Sequence, residues 1–111
     1  DPDPGKYEDL AEAMKEAFRA ENKLDSALHY YNRSLKLNQD LNIEEGIGTT
    51  LTNIALTNYI MGDYAEAVNY YIQSFKIAEN QNNRRHMAWN LLRAGWLYYE
   101  MGKYEKEERW F

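Results

Sequence analysis

The chain repeats itself at an interval of 40 residues, and this repeat constrains the fold more than any other feature of the sequence. The string Gly62-Asp63-Tyr64 recurs as Gly102-Lys103-Tyr104. One interval before Gly62 stands Asn22, and Asn is a common substitute for Gly where a helix ends in a left-handed residue. Apolar positions keep the same register, as in the pairs Ala27 and Ala67, Tyr31 and Tyr71, Leu37 and Ile77. Such an interval predicts a solenoid of stacked structural repeats.

Each repeat is predicted to contain two helices joined by a short turn. In the second repeat, two sets of residues follow the spacing of one helix face: Leu51, Ile54, Ala55 and Asn58, then Ala67, Tyr71, Ser74, Phe75 and Ala78. Between them lies Met61-Gly62-Asp63, where Gly62 supplies a left-handed C-cap and Asp63 can cap the next helix. With only two prolines in the chain and an abundance of Ala, Leu, Glu and Lys, these patterns predict an all-α protein.

The interval divides the chain into one domain of three hairpins. We expect the first hairpin over residues of about 5–39, with its turn at Asn22-Lys23-Leu24. The second covers about 43–80, and the third covers about 83–111 and is incomplete. Asparagine-rich segments, residues 38–42 and 80–83, separate the hairpins.

The residues around these turns resemble the tetratricopeptide repeat, whose pattern is large-x2-Leu-small-x2-aromatic followed by Ala-x3-aromatic. The third repeat has Leu91-x2-Ala94-Gly95-x2-Tyr98, and the second has Leu51-x2-Ile54-Ala55-x2-Asn58 with Ala67-x3-Tyr71. The first has the weaker Ala11-x2-Met14-Lys15-x2-Phe18, then Ala27-x3-Tyr31. The resemblance implies an α-solenoid of about 2.5–3 repeats in a right-handed superhelix. The long interval is similar to that of bacterial peptide-sensing regulators and kinesin light chains.

In that family the first helix of each hairpin lines a concave groove, and the resemblance therefore implies a binding surface. Its predicted residues, in the second and third repeats, are Thr49, Thr52, Asn53, Leu56, Tyr59, Trp89, Leu92, Arg93, Trp96 and Tyr99. Trp, Tyr and Arg are the residue types that dominate binding hot spots. The helix with Trp89 and Trp96 is apolar nearly all round, which predicts cover on nearly every side. That cover is either a further helix of the array, or a peptide or helix of a partner bound in an aromatic groove.

Some family members hold a partner's terminal carboxylate in a clamp of lysines, asparagines and an arginine. Asn53 and Arg93 match two members of this clamp, whereas Glu12, Glu16 and Trp89 occupy the other positions. Two carboxylates would repel an anionic tail, so we expect Asn53 and Arg93 to hydrogen-bond a peptide backbone instead.

The end of the chain departs from the repeat. Where the interval predicts Ala at a close helix crossing, the residue is Glu107. A glutamate there would overpack the crossing at a cost of about 1–3 kcal/mol. We therefore expect that the last helix does not fold back, and that it projects or exchanges between two chains. This makes Tyr104, Trp110 and Phe111, which are apolar, candidates for a contact between copies in a homo-oligomer.

Several classes of function lack support in the sequence. A net charge of −5 is unlike the basic surface that nucleic acid requires. No apolar run approaches the roughly 18 residues of a membrane span. The absence of Cys removes disulfides and zinc–thiolate sites, and His29 and His86 fall in different repeats. We therefore expect no metal site, no cofactor and no catalytic site.

The prediction that remains is a cytoplasmic interaction module that binds a protein or peptide, rather than an enzyme. Two alternatives stay open. The chain is the peptide-sensing domain of a bacterial signalling protein, or it is a scaffold or oligomerisation module without a small ligand.

Overall fold

The computed structural model describes the backbone of residues 4–108 and the side chains of residues 12, 15, 16 and 19–103. Four helices occupy this part of the chain: α1 (Pro4–Asp40), α2 (Glu44–Met61), α3 (Tyr64–Asn80) and α4 (Arg84–Glu108). Each helix packs on the one that precedes it, so that α2 lies against α1 and α3, and α3 lies against α2 and α4. The prediction of an all-α helical repeat is confirmed.

The three turns between these helices share one geometry. Each contains a residue with a left-handed backbone, and these residues are 20 positions apart: Asn42 (φ 56°), Gly62 (φ 88°) and Asn82 (φ 55°). The amide of the following residue donates to the carbonyl five residues earlier, with Asp63 to Asn58 at 2.9 Å, Asn83 to Ala78 at 2.8 Å and Ile43 to Asn38 at 2.9 Å. This pattern is the Schellman motif, which satisfies carbonyls that a helix end would leave unpaired. A 40-residue repeat therefore consists of two 20-residue units.

The hairpin of α2 and α3, called the closed hairpin below, forms around the expected break at Met61-Gly62-Asp63. Ala55 and Ala67 are both 0% exposed, so the two helices meet where side chains are smallest. The buried cluster around them is completed by Val68, Tyr71, Ala94 and Leu97. Full burial of a large apolar side chain contributes about 1.5–3 kcal/mol, so this cluster carries much of the stability of the hairpin. Asp63 precedes α3 as predicted, but its side chain makes no capping hydrogen bond.

The first hairpin differs from the prediction, because α1 is one continuous helix of 37 residues. The chain does not turn at Asn22-Lys23-Leu24, and the predicted hairpin over residues of about 5–39 is absent. Two physical reasons account for this. An Asn inside a helix costs only about 0.7 kcal/mol relative to Ala. In addition, Lys15 stands one interval before the fully buried Ala55, so a closed hairpin would force a lysine into the close crossing.

The third repeat also has no turn at Gly102, since α4 continues from Arg84 to Glu108 through this residue. The expectation that the last helix does not fold back agrees with this course. A Cβ added at Gly102 would meet nothing within 4 Å, so no close approach requires glycine there. The side chain of Tyr104, and residues Trp110 and Phe111 altogether, lie outside the described part of the chain, and their role between copies stays a prediction.

The missing turn leaves one face of α4 exposed. The residues of α4 that face α3 are buried, namely Asn90, Ala94 and Leu97. Leu91 and Tyr98, on the neighbouring face, are 61% and 58% exposed. Their equivalents in α2, Leu51 and Asn58, are only 3% and 7% exposed. The difference arises because α3 folds back over α2, whereas no described residue folds back over α4.

Candidate functional site

A cleft of about 350 Å³ lies between the N-terminal halves of α2 and α4. Its volume is within the range of small-ligand and peptide side-chain pockets. Both helices contribute residues that are three or four positions apart and so share a face. The lining consists of Thr49, Thr52 and Asn53 from α2, and Arg85, His86, Trp89 and Asn90 from α4.

A hydrogen-bond network forms the floor of the cleft and joins three helices. Ser74 of α3 donates to the carbonyl of Gly48 at 3.0 Å. Its hydroxyl oxygen also lies 2.7 Å from the hydroxyl of Thr52 and accepts from the amide of Asn90 at 3.1 Å. The hydroxyl of Thr52 also lies 3.1 Å from the Gly48 carbonyl, so either hydroxyl of the Thr52–Ser74 pair can donate to the other while its neighbour donates to Gly48. Asn90 is 1% exposed, so its amide depends on this network for a partner.

The wall of the cleft on the α4 side is an indole ring. Trp89 is 48% exposed, and the guanidinium carbon of Arg93 lies 4.4 Å from the ring centroid. A cation at this distance is attracted to the face of the ring, so Arg93 restrains the orientation of Trp89. One ring face is thus occupied by Arg93.

The mouth of the cleft carries positive charge. Arg85 and His86 are both exposed, and Arg84 begins the same helix. The N-terminal end of a helix adds a partial positive charge of its own. The lining residues include no carboxylate, and an acidic side chain of the surrounding surface, Glu45, lines a neighbouring cavity together with Thr49 and His86. The chemistry of the cleft therefore favours a ligand with an acidic group beside an apolar one.

The structure brings together part of the predicted binding surface. Thr49, Thr52, Asn53 and Trp89 line the cleft. Leu56, Tyr59, Arg93 and Trp96 are outside its lining, although Arg93 contacts Trp89.

Leu92 and Tyr99 are 69% and 64% exposed and lie beside the uncovered face of α4. The position equivalent to Leu92 in α2 is Thr52, which reaches Ser74 on the next helix. Leu92 and Tyr99 therefore point to the place where a following helix would pack.

Three lining residues were missed by the sequence reasoning, namely Arg85, His86 and Asn90. A signal for them exists in the sequence. Arg85 and His86 lie four and three positions before Trp89, so they share its helix face. The predicted groove in α4 began at Trp89 and stopped one turn short. Asn90 is buried beneath the cleft, where only its pairing with Ser74 reveals a role.

The carboxylate clamp is not assembled in this cleft. Asn53 is part of the lining, whereas Arg93 is not. Glu12 and Glu16 are exposed residues in the first half of α1 and are likewise outside the lining. The expected repulsion of an anionic tail by these glutamates is therefore absent at the cleft, because α1 does not fold back.

Tyr71 is buried in the core of the hairpin that α2 and α3 form. Burial raises the pKa of its phenol above the ordinary value of 10.0, the positive charge of Arg93 lowers it, and Tyr59 raises it further. The phenol of Tyr71 is therefore neutral at physiological pH, as its position in an apolar cluster requires.

Among residues whose placement is described, no group of three or more His, Asp or Glu side chains could hold a metal ion. No described helix is long and apolar enough to cross a membrane.

Comparison with known proteins identifies the repeat. The family model described as tetratricopeptide repeat matches residues 46–111, more than half of the chain. No curated protein and no solved structure gives a significant match. The match covers the closed hairpin, its two Schellman turns that follow residue 46, and α4. The chain belongs to the tetratricopeptide repeat family.

Proposed function

We propose that the protein binds an extended segment of a partner protein in the cleft between α2 and α4. Tetratricopeptide repeats are generally protein–protein interaction modules. The observation that carries the proposal is the cleft itself, in which an exposed indole, an amide and two basic side chains converge: Trp89, Asn53, Arg85 and His86.

The lining suggests what such a segment contains. An asparagine amide both donates and accepts, so Asn53 can pair with the N–H and C=O of an extended backbone. The exposed part of Trp89 offers apolar area to a neighbouring side chain. Arg85 and His86 at the mouth favour a carboxylate on the next residue. The preferred ligand is an extended peptide with an apolar residue adjacent to Asp or Glu.

Selection from random peptides displayed on phage tests this proposal. Selected peptides are expected to share an apolar residue next to an acidic one, and Trp89→Ala and Asn53→Ala should each weaken binding at least tenfold. Lys76→Ala is the control, because Lys76 is exposed on α3 and outside the cleft. Peptides that bind both cleft variants as tightly as the unaltered protein would show that the cleft is not the site.

Trp89 also provides a direct signal in the binding measurement. The chain has three tryptophans, so Trp96→Phe and Trp110→Phe together leave Trp89 as the sole indole. Its fluorescence should change with bound peptide, and the change should diminish at high salt if Arg85 pairs with a carboxylate.

A further inference from the structure

The comparison of equivalent positions reveals two incomplete hairpins in this chain. In the closed hairpin, α3 covers the face of α2 that contains Leu51, Ala55 and Asn58. The equivalent face of α4, with Leu91, Gly95 and Tyr98, is exposed. Space above it is free, since a Cβ added at Gly95 would meet nothing within 4 Å. No described helix therefore covers this face of α4 in the way that α3 covers the equivalent face of α2.

The second half of α1 is incomplete in the complementary way. It is equivalent to α3, but no helix of the α2 type precedes it in a hairpin, because α1 does not turn. Tyr30 and Leu37 are 66% and 59% exposed, whereas their equivalents in α3, Tyr70 and Ile77, are partly covered. Ala27 is likewise more exposed than Ala67. No described helix therefore covers this face of α1 in the way that α2 covers the equivalent face of α3.

We propose that these two faces bind each other between copies, so that α4 of one copy and α1 of a second copy form a composite hairpin equivalent to α2–α3. The occupant of the open face of α4 is thus a second copy of this chain. This interface is separate from the cleft of the proposed function and does not depend on it.

The small residues at the helix crossing carry the proposal. The closed hairpin crosses at Ala55 and Ala67, both 0% exposed. Within one chain, neither of the other hairpins could repeat this pair, because Lys15 replaces the first alanine and Glu107 replaces the second. The small residues that remain are Gly95 and Ala27, and they stand on the two open faces. Only a contact between copies joins them.

Other contacts of the closed hairpin also transfer to the composite one. The stacked pair Tyr59 and Tyr64, with centroids 5.7 Å apart, becomes Tyr99 against Leu24 of the second copy. The close contact of Gly48 with Ile77 becomes Ala88 against Leu37 of the second copy. A Cβ at Gly48 would lie 3.2 Å from Ile77, so Ala88 requires a shift of a few tenths of an ångström, which a flexible leucine can supply.

One pair transfers less well, and it sets a geometric test. The hydroxyls of Thr52 and Ser74 lie 2.7 Å apart, and their equivalents are Leu92 and Ser34 of a second copy. Side chains in such close contact place their Cβ atoms within reach of a disulfide. Within one chain the same two residues lie apart, because Ser34 is on α1 beside α2, whereas Leu92 is exposed on the far side of α4.

The contact joins two different surfaces, so it is heterologous. Each copy that binds leaves one open α1 face and one open α4 face at the ends of the assembly. Such an interface produces linear arrays or closed rings, and their size increases with concentration.

Cross-linking of single-cysteine variants tests the pairing, and the natural chain has no Cys to interfere. Ser34→Cys and Leu92→Cys proteins are mixed, oxidised and separated on a non-reducing gel. We expect a cross-linked dimer from the mixture that exceeds the dimer from either variant alone at least tenfold. Lys36→Cys is the matched control for Ser34→Cys, because its equivalent in α3, Lys76, is exposed and faces away from α2.

Three results would overturn the proposal. Leu92→Cys alone that forms the same dimer would show a symmetric contact of α4 with α4. Equal cross-linking by Lys36→Cys would show random collision. No cross-link in the mixture, with the protein monomeric by sedimentation up to several hundred micromolar, would show that α1 of a second copy does not cover α4.

Substitution at Gly95 gives an independent measurement that leaves the fold of the single chain intact. Because Gly95 is exposed and its Cβ position is empty, Gly95→Arg should preserve helix content and thermal stability. It should nevertheless weaken self-association at least tenfold in sedimentation equilibrium, since a long side chain blocks the crossing. Gly95→Ala restores the residue of the closed hairpin and should retain association. Unchanged association in Gly95→Arg would contradict the composite hairpin.

Discussion

The closed hairpin α2–α3 and the unturned helices α1 and α4 are built from the same repeat but differ at the helix crossing. The closed hairpin has Ala55 and Ala67 there, both fully buried. The first repeat has Lys15 and the third has Glu107 at one of these two positions, and in both the helix runs straight through the turn. The comparison teaches that a glycine at the turn position is not sufficient to end a helix, because α4 continues through Gly102. A turn forms where the two helices can also approach closely.

The largest expected effect comes from placing the charge of the open repeat into the closed one. Ala67→Glu introduces at a fully buried position the residue found at 107. Overpacking and burial of a carboxylate should together cost about 3 kcal/mol or more, a large fraction of the stability of a small domain. Urea denaturation followed by circular dichroism measures this. Ala65→Glu, the same substitution at an exposed position of the same helix, is the control and should change the free energy of unfolding little.

The polar network offers the next comparison, because both kinds of repeat have a serine at the same position. Ser74→Ala removes the acceptor of the buried Asn90 amide and should cost about 1–3 kcal/mol. Ser34→Ala, at the equivalent position of α1, removes a partly exposed hydroxyl and should cost less than about 0.5 kcal/mol. Equal losses in the two variants would show that burial does not distinguish the two serines.

Substitution by Ala at two equivalent glycines, Gly62 and Gly102, should change the free energy of unfolding in opposite directions. Gly62 has φ of 88°, so Gly62→Ala should destabilise the protein by about 1–2 kcal/mol. Gly102 lies inside a helix with open space at its Cβ, so Gly102→Ala should stabilise the protein by up to about 1 kcal/mol. Thermal melts of both variants beside the unaltered protein measure the difference. A loss of stability in Gly102→Ala would mean that this segment turns in solution.

The smallest expected effect is the pH dependence due to Tyr71. Its pKa is raised in the folded state, chiefly by burial, so the phenol ionises more readily in the unfolded chain, near its ordinary value of 10.0. The stabilisation is complete below pH 10 and is lost as the pH rises above it. Tyr71→Phe lacks this loss, so its free energy of unfolding should fall less steeply in alkaline solution. Parallel curves for the two proteins would contradict a raised pKa.

Much of the fold could be predicted because its signals are local. Helix periodicity and the asparagine-rich breakers located the turns before α2 and α4, and Gly62 located the turn between α2 and α3. The turn at Asn22 was predicted wrongly, since the repeat register marks where a chain is able to turn. Whether it does so depends on how closely two helix faces can approach, and in the first repeat Lys15 occupies the position equivalent to the buried Ala55.

The cleft was predicted less completely than the fold. The residues found in advance, such as Asn53 and Trp89, follow from family geometry along the first helix of each repeat. Asn90 could not be predicted in this way, because the role of its buried amide follows from its hydrogen bond with Ser74. Ser74 is 16 positions earlier and on another helix. The position of Arg85 and His86 at the mouth of the cleft depends on where α4 begins. Sequence patterns define helix ends poorly, so these two residues were not predicted.

The Ser74 network has a consequence for the energetics of binding. Thr52 and Asn90 contribute to the surface of the cleft while their polar atoms are held from below by α3. Two walls from different helices are thereby fixed in spacing before any ligand arrives. A peptide that enters loses its own conformational freedom but requires little ordering of the protein, which reduces the entropic cost of association. The cleft is preorganised, and loosening its floor with Ser74→Ala should weaken binding through entropy, with every ligand contact retained.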